Sequence, residues 1–220
     1  MAMKKWFSVF AFLLSITLFA YSAWSQTKTV APSTTTTGFL GELEGRIYKN
    51  SFFGFSLKLP DDGVILNQAE VDVYKNAGTD LLKGDNARNN KLIEDAKTQE
   101  VILLNYASKP VGSTDNGILV ITARKEPVGA TASMVIASSL TILQSSNKFE
   151  LTRSIPNIKI GGRSFVGIEG NLTVQGQKVG QRLLVTIARG YAISMGIGYF
   201  SDKGLLKIDD IVNGLAFEKQ

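Results

Sequence analysis

Residues 163–199 decide the fold, and they read RSFVGIEGNLTVQGQKVGQRLLVTIARGYAISMGIGY. Apolar residues recur at every second position in three runs, and this period predicts three strands with an apolar face each. We expect the strands to follow one another as an antiparallel meander, which begins near Phe149 and extends to Phe200. The alternating apolar positions are Val166, Ile168, Leu172 and Val174, then Val179, Leu183, Val185 and Ile187, then Tyr191, Ile193, Met195 and Ile197.

Gln175-Gly176, between the first two runs, predicts a two-residue hairpin turn. Such a turn places Glu169 opposite Arg182, so we infer an ion pair between these side chains across the two strands. Small residues are expected on the same face: Gly167, Ala192, Ser194, Gly196 and Gly198. Either a helix packs closely on this face, or the face is a shallow groove in which Glu169 and Arg182 are candidate ligand-binding residues. A structural ion pair is the favoured interpretation because such pairs are common in sheets.

Elements on either side of the meander can be predicted from their periods. Period-two patterns and turn residues predict strands at 46–49, 53–59, 101–107 and 118–123. Helical spacing predicts four helices. Their inward or capping residues are Asn67, Glu70, Val73, Tyr74, Ala77, Leu81 and Gly84; Leu92, Ile93 and Ala96; Ile136, Leu140 and Leu143; and Ser201, Leu205, Ile208, Ile211, Val212 and Gly214. The predicted fold class is α+β, a mainly antiparallel sheet with helices packed on it, formed by a single domain at 44–220.

A set of short motifs in this order resembles the PsbP-like domains. The motifs are Tyr48-x-Asn50, FGFSLKLPDDG at 53–63, IGGRSFV at 160–166, GYAI at 190–193 and LAF at 215–217. The resemblance implies an α/β/α sandwich, of the superfamily that also holds a Ran-binding nuclear import factor and small exported bacterial proteins of unknown role. Photosystem members of the family imply a lumenal extrinsic subunit that helps to retain calcium and chloride. None of their binding residues has a matching motif in this chain.

The first residues predict export. Lys4 and Lys5 precede an apolar run that ends at Ala23-Trp24-Ser25, the small-residue pattern of a signal-peptidase site. Residues 1–25 are therefore predicted to be a bacterial signal peptide, and the protein to be periplasmic or secreted. A retained N-terminal membrane anchor is the alternative; a cleaved leader leaves no stable membrane span. The Thr/Ser/Pro-rich residues 26–43 are predicted to be a flexible linker.

Composition removes many kinds of chemistry. The 220-residue chain has no His and no Cys, which excludes Ser-His-Asp and Cys-His catalysis and His- or Cys-based metal sites. The acidic pairs Asp61-Asp62 and Asp209-Asp210 lack the spacing of a calcium loop, and turn or helix-surface roles are expected for them. We therefore predict no catalytic residues, no cofactor and no tight metal site; weak binding of calcium or magnesium by surface Asp stays open. The net charge of +5 includes no dense basic run, so no nucleic-acid partner is expected.

Two functions from different classes remain after these exclusions. The first is an exported, non-enzymatic binding or accessory module with a protein or envelope partner. The second is an envelope-associated hydrolase with a Ser/Lys or carboxylate site that works without His. The first is favoured because the carboxylates fall in predicted turns and on helix surfaces, and no Ser-x-x-Lys motif stands out.

Overall fold

The computed structural model describes residues 38–66, 71–72, 76, 79–80, 82–83, 87–110, 113, 115–146, 148–174 and 176–218. The predicted signal peptide, the capping pair Asn67 and Glu70, and the stripe of Val73, Tyr74, Ala77 and Leu81 with Gly84 lie outside these ranges. The described residues between 71 and 82 are helical, as the sequence predicts for this segment.

The described strands form two antiparallel sheets. A seven-stranded sheet has the order β4-β5-β6-β10-β9-β8-β7, and a four-stranded sheet has the order β1-β2-β3-β11. The strands are β1 Glu42–Glu44, β2 Ile47–Asn50, β3 Phe55–Lys58, β4 Val64–Ile65, β5 Val101–Ala107, β6 Gly117–Lys125, β7 Phe149–Ile160, β8 Arg163–Val174, β9 Gln177–Ala188, β10 Tyr191–Tyr199 and β11 Ala216–Phe217. The predicted meander therefore supplies four neighbouring strands of the large sheet.

Three helices have described bounds: α1 Ala87–Gln99, α2 Ala132–Ser145 and α3 Asp202–Asn213. The Thr131 side chain accepts from the Met134 N–H at the start of α2, and Ser201 accepts from the Gly204 N–H at the start of α3. These hydroxyls satisfy backbone donors that a helix start leaves without a partner. Gly214 ends α3, as the sequence predicts. No helix within the described ranges is long and apolar enough to cross a membrane.

The large sheet is covered on both faces. One face packs Ile168, Leu183 and Val185 against Val135 and Ile136 of α2. The other packs against α3 and the small sheet, in a cluster that includes Phe165, Leu184, Ile193, Met195, Ile197, Ile208, Ile211, Phe53 and Phe55. Helices on both faces of a mainly antiparallel sheet make an α+β fold arranged as an α/β/α sandwich, so the predicted fold class is confirmed.

The inward face of α2 differs from the prediction. Ile136 is buried as predicted, but Leu140 and Leu143 are only half-buried, and Ser138 and Ser139 are buried beside Ile142. The two hydroxyls donate to the Met134 and Val135 carbonyls of the same helix, at 2.7 and 3.0 Å. Because these bonds satisfy the hydroxyls locally, the serines can face the sheet without loss.

The N-terminal edge of the described part also differs from the predicted linker, which ends at residue 43. The Phe39 ring packs on the rings of Phe52, Phe53 and Tyr191, with centroids 5.1–5.4 Å apart. Strand β1 pairs with β2 from Glu42 onward. Residues 38–43 are therefore part of the packed structure because Phe39 supplies an apolar ring that the Thr/Ser/Pro-rich stretch lacks.

Candidate functional site

Strands β8 and β9 have the predicted register. Val174 pairs with Gln177, Leu172 with Val179, and Glu169 with Arg182. Gln175 lies outside the described residues. Gly176 has φ of 80°, a backbone conformation that favours glycine and is common in hairpin turns. The prediction that Glu169 and Arg182 face each other is confirmed.

The prediction for the surroundings of this pair is wrong in part. Gly167 lies on the face of Glu169, but Ala192, Ser194, Gly196 and Gly198 pair with Ile187, Val185, Leu183 and Gln181, and so lie on the opposite face. The residues of β10 beside Arg182 are Ile197 and Tyr199 instead. Since the sheet is buried on both faces, apolar alternation marks each strand's period but not the side of the sheet it faces.

Four charged side chains form a chain of alternating sign from the outer strand β7 to helix α3. We call Arg153, Glu169, Arg182 and Asp209 the charge ladder. Arg153 bonds to Glu169 Oε2, and Arg182 Nε lies 3.3 Å from the same oxygen. Arg182 Nη1 reaches Asp209 Oδ1 at 2.5 Å. The ladder has equal numbers of positive and negative groups, so its charges neutralise one another.

Tyr199 adds a neutral donor to the ladder. Its hydroxyl donates to Glu169 Oε1 at 2.8 Å. Its ring lies over Gly180, where an added Cβ would be 2.1 Å from the ring. Glycine at this position therefore makes room for the ring that holds Glu169 from the side opposite Arg153.

Burial and partners shift the pKa values of these groups in different directions. Burial raises the pKa of Glu169, but the bonds from Tyr199 and Arg182 outweigh burial and hold the pKa below its ordinary value. Burial also raises the pKa of Asp209, and there the attraction of Arg182 does not reverse the shift. Burial and the bond to Glu169 raise the pKa of Tyr199. At neutral pH the ladder is ionised at Glu169 and carries a protonated phenol.

Sequence reasoning found two members of this site and missed three. Arg153, Tyr199 and Asp209 were not predicted as partners of Glu169 and Arg182, and Asp209 was assigned to a helix surface. The signal for Tyr199 is the second two-residue turn, Arg189-Gly190, which sets the face of β10 just as 175–176 sets that of β9. Asp209 carries a weaker signal: it follows the inward residue Ile208 on the helix that covers this face.

The two acidic pairs do not form metal sites in the described part. Lys207 donates to Asp62 at 2.7 Å, and Arg46 lies 3.7 Å from Asp61. Within the described ranges, no three metal-ligating side chains of His, Cys, Asp or Glu come together. The absence of a metal from this protein remains a prediction from the sequence.

No protein-family model matches this chain, and no curated protein matches it. Among solved structures, it is similar to the solution structure of cyanobacterial PsbP (CyanoP) from Synechocystis sp. PCC 6803, with 15% identity, a TM-score of 0.49, and coverage of 82% of this chain and 100% of that one. A second match is LpqN, involved in cell envelope biogenesis of Mycobacterium tuberculosis, with 12% identity, a TM-score of 0.44, and coverage of 75% and 83%.

A third match is the immunity protein TplEi of the T6SS from Pseudomonas aeruginosa, complexed with "L" peptide, with 10% identity and a TM-score of 0.38. It covers 75% of this chain and 96% of that one. The first match carries the name of the family that the sequence resembles. All three likenesses are distant, and they assign no function to this chain.

Proposed function

We propose that this chain is an exported binding or accessory module that acts through contact with a protein or envelope partner, and not through catalysis. The proposal combines a predicted export leader at residues 1–25 with a polar site that is occupied by its own side chains.

The observation that supports it is that the side chains of the charge ladder pair with one another. Glu169 accepts hydrogen bonds from Arg153, Arg182 and Tyr199, so both of its oxygens are in use. A general acid or base works best with a pKa near the working pH, but the pKa of Glu169 is lowered and that of Tyr199 is raised. These shifts favour a structural ion pair over a reactive carboxylate.

The surroundings of Glu169 and Arg182 argue against these two residues as a ligand-binding site. An incoming ligand must break the hydrogen bond between Tyr199 and Glu169 or the one between Arg182 and Asp209. Arg182 is also held on two sides, by carboxylates of β8 and α3. We therefore propose that the pair stabilises the fold and that partners bind elsewhere on the surface.

Export is proposed from the leader alone. If residues 1–25 are cleaved, intact-mass measurement of the exported protein gives a chain that begins at Gln26 and dissolves without detergent. A chain that keeps residues 1–25 and needs detergent for extraction identifies the anchored alternative instead.

A paired experiment tests binding against hydrolysis. The full chain, with a C-terminal tag, is recovered from an exporting host under native conditions. Components that co-purify in constant ratio are identified and then added back to the purified protein. We expect saturable rebinding, equal for wild type and the double variant Glu169→Gln/Asp209→Asn.

The same two proteins are assayed against ester, peptide and glycoside substrates. The proposal expects no turnover above the rate without protein. Turnover by the wild type that the double variant loses contradicts the proposal, and supports the hydrolase alternative with the ladder carboxylates as its site. Failure to find any component that rebinds also counts against the binding function.

A further inference from the structure

Three cations lie at one end of the large sheet. Lys125 is the last residue of β6, Arg163 the first of β8, and Arg189 lies in the turn between β9 and β10. The antiparallel pairing brings these residues to the same end of the sheet. Lys125 and Ala188 both pair with Tyr191, and β8 begins at Arg163 beside the end of β9, where Val166 pairs with Val185. We call the surface formed by Lys125, Arg163 and Arg189 the basic end.

Each of these cations lies over an aromatic ring. Lys125 Nζ is 4.5 Å from the centroid of the Tyr191 ring, the Arg163 guanidinium carbon 4.6 Å from that of Phe217, and the Arg189 guanidinium carbon 5.5 Å from that of Phe52. Within the described part of the chain, none of the three has a carboxylate in ion-pair range. A ring attracts a cation without neutralising it, so the positive charge remains available to an outside anion.

Cations at the opposite end of the sheet are neutralised by carboxylates. Lys178 is 2.8 Å from Glu150, and Lys207 is 2.7 Å from Asp62. Lys203 is 3.7 Å from Asp115. These cations have carboxylate partners, whereas the three cations of the basic end have none within ion-pair distance among the described residues.

Apolar groups lie next to the cations at this end. The Glu126 N–H donates to the Gly190 carbonyl, which holds the loop after Lys125 beside the Arg189 turn. In that loop Val128 is fully exposed to solvent. The rings of Phe52 and Tyr191 are half-buried beneath the cations. Cationic side chains beside exposed apolar and aromatic groups match the two zones of a lipid interface, headgroup and acyl boundary.

The chain upstream of the described part joins it at the same end. The Gly38 carbonyl accepts from the Phe52 N–H, so residue 38 lies beside the 51–54 turn. Residues 26–37 separate it from the predicted leader, and twelve residues reach at most roughly 40 Å. A leader inserted in a membrane, during export or as an anchor, thus keeps the basic end within roughly 40 Å of the lipid surface.

We propose that the basic end is a docking surface for an anionic phospholipid membrane. The proposal deepens the envelope partner of the proposed function and depends on export. An acidic protein would satisfy the same charges, but the position of residue 38 and the exposed Val128 favour a lipid surface. Anionic headgroups would pair with Lys125, Arg163 and Arg189, and Val128 would reach the acyl boundary.

The test uses the full chain with a single cysteine for a polarity-sensitive dye, because the protein has no Cys of its own. Val128→Cys places the dye at the basic end, and Gln177→Cys places it at the opposite end beside the 175–176 turn. Each protein is titrated with phosphatidylcholine vesicles, with and without phosphatidylglycerol. We expect an apolar shift of the dye at position 128 only, with anionic vesicles only, and its loss at high salt.

Two triple variants with the same change in net charge locate the effect. Lys125→Gln/Arg163→Gln/Arg189→Asn removes the basic end; Asn is used because Arg189 has φ of 53°, which Asn tolerates. Lys178→Gln/Lys203→Gln/Lys207→Gln removes the paired cations of the opposite end. Each surface charge contributes about fivefold to binding, so we expect at least a tenfold loss for the first triple and little for the second.

Several outcomes overturn the proposal. Equal shifts with neutral and anionic vesicles, no shift at position 128, or equal losses for the two triples would each contradict docking by the basic end. Circular dichroism and thermal unfolding establish that the variants are folded. A partner protein that rebinds in the absence of lipid leaves the proposed function standing even if vesicle binding fails, so the two failures are distinguishable.

Discussion

The charge ladder and the basic end use arginine and lysine in opposite ways. In the ladder, Arg182 lies between Glu169 and Asp209, and its side chain is only 12% exposed. At the basic end, Arg163 and Lys125 stand over rings and face no carboxylate in the described part. The charges of the ladder therefore pair within the fold, while the charges of the basic end stay available to an outside partner.

The comparison separates stability from function. Removing Arg182 from the ladder leaves the half-buried Asp209 without a counter-charge and leaves Glu169 with Arg153 alone, which is costly in a partly desolvated site. Removing a cation from the basic end leaves only a ring and solvent. We expect substitutions in the ladder to lower the free energy of unfolding and substitutions at the basic end to change binding.

Two matched substitutions should show the largest difference. Arg182→Met keeps most of the apolar stem but leaves Glu169 and Asp209 facing each other, so we expect a loss of about 3 kcal/mol in the free energy of unfolding. Arg163→Met removes one contact with Phe217, at a cost of about 0.5 kcal/mol. Urea unfolding at neutral pH measures both. Equal losses for the two variants would show that the ladder is no more important to stability than a surface contact.

A smaller effect is expected from the glycine beneath Tyr199. Gly180→Ala places a Cβ 2.1 Å from the ring, which must move and loosen its bond to Glu169. Overpacking of this kind costs about 2 kcal/mol. The control is Gly198→Ala on the other face, where the nearest described atom, in Gln181, is 3.6 Å from the added carbon. In thermal unfolding, the midpoint temperature of Gly180→Ala should be clearly lower than that of Gly198→Ala.

The smallest effect is the pH dependence of Glu169→Gln. The folded-state pKa of Glu169 lies below its ordinary value of 4.5, so its ionised form adds stability above that pH, and this stability is lost as the pH falls through the lowered pKa. We expect wild type to exceed Glu169→Gln by about 1 kcal/mol at pH 7, with the gap closing in acid.

Two comparisons show that the pH dependence comes from Glu169 and not from other charged groups. Asp209 has a raised pKa and so the opposite sign, but it is present in both proteins and largely cancels from their difference. Lys125→Gln at the basic end removes a cation with no acidic partner in the described part, so its stability difference from wild type should stay flat over the same range. A gap for Glu169→Gln that is constant down to acid pH would contradict the ladder's effect on Glu169.

Much of the fold could be predicted from local patterns. Alternation over 163–199, the two-residue turn at 175–176 and the caps Ser201 and Gly214 act within a few residues, and the structure agrees with each. The pairing of Glu169 with Arg182 follows from the same local geometry. These features need no knowledge of distant contacts.

The remaining features depend on contacts between distant segments. Asp209 meets Arg182 because α3 crosses the sheet, and no spacing in the sequence encodes that crossing. The face of β10 was misassigned because both faces of the sheet are buried, so alternate positions hold apolar or small residues on either side. Ser138 and Ser139 are not among the predicted inward residues of α2, because polarity alone does not show that a hydroxyl bonds to its own helix.

The positions of Gly38 and Glu218 have a consequence for rearranging the chain. The Phe52 N–H donates to the Gly38 carbonyl, and the Glu218 N–H donates to the Gly54 carbonyl, so both described ends flank one four-residue turn. A short linker can join two ends this close, and a new opening at Gly176 lies in an exposed turn. We expect a circular permutant of the described body to keep β8 and β9 paired through Glu169 and Arg182, although they would become its last and first strands.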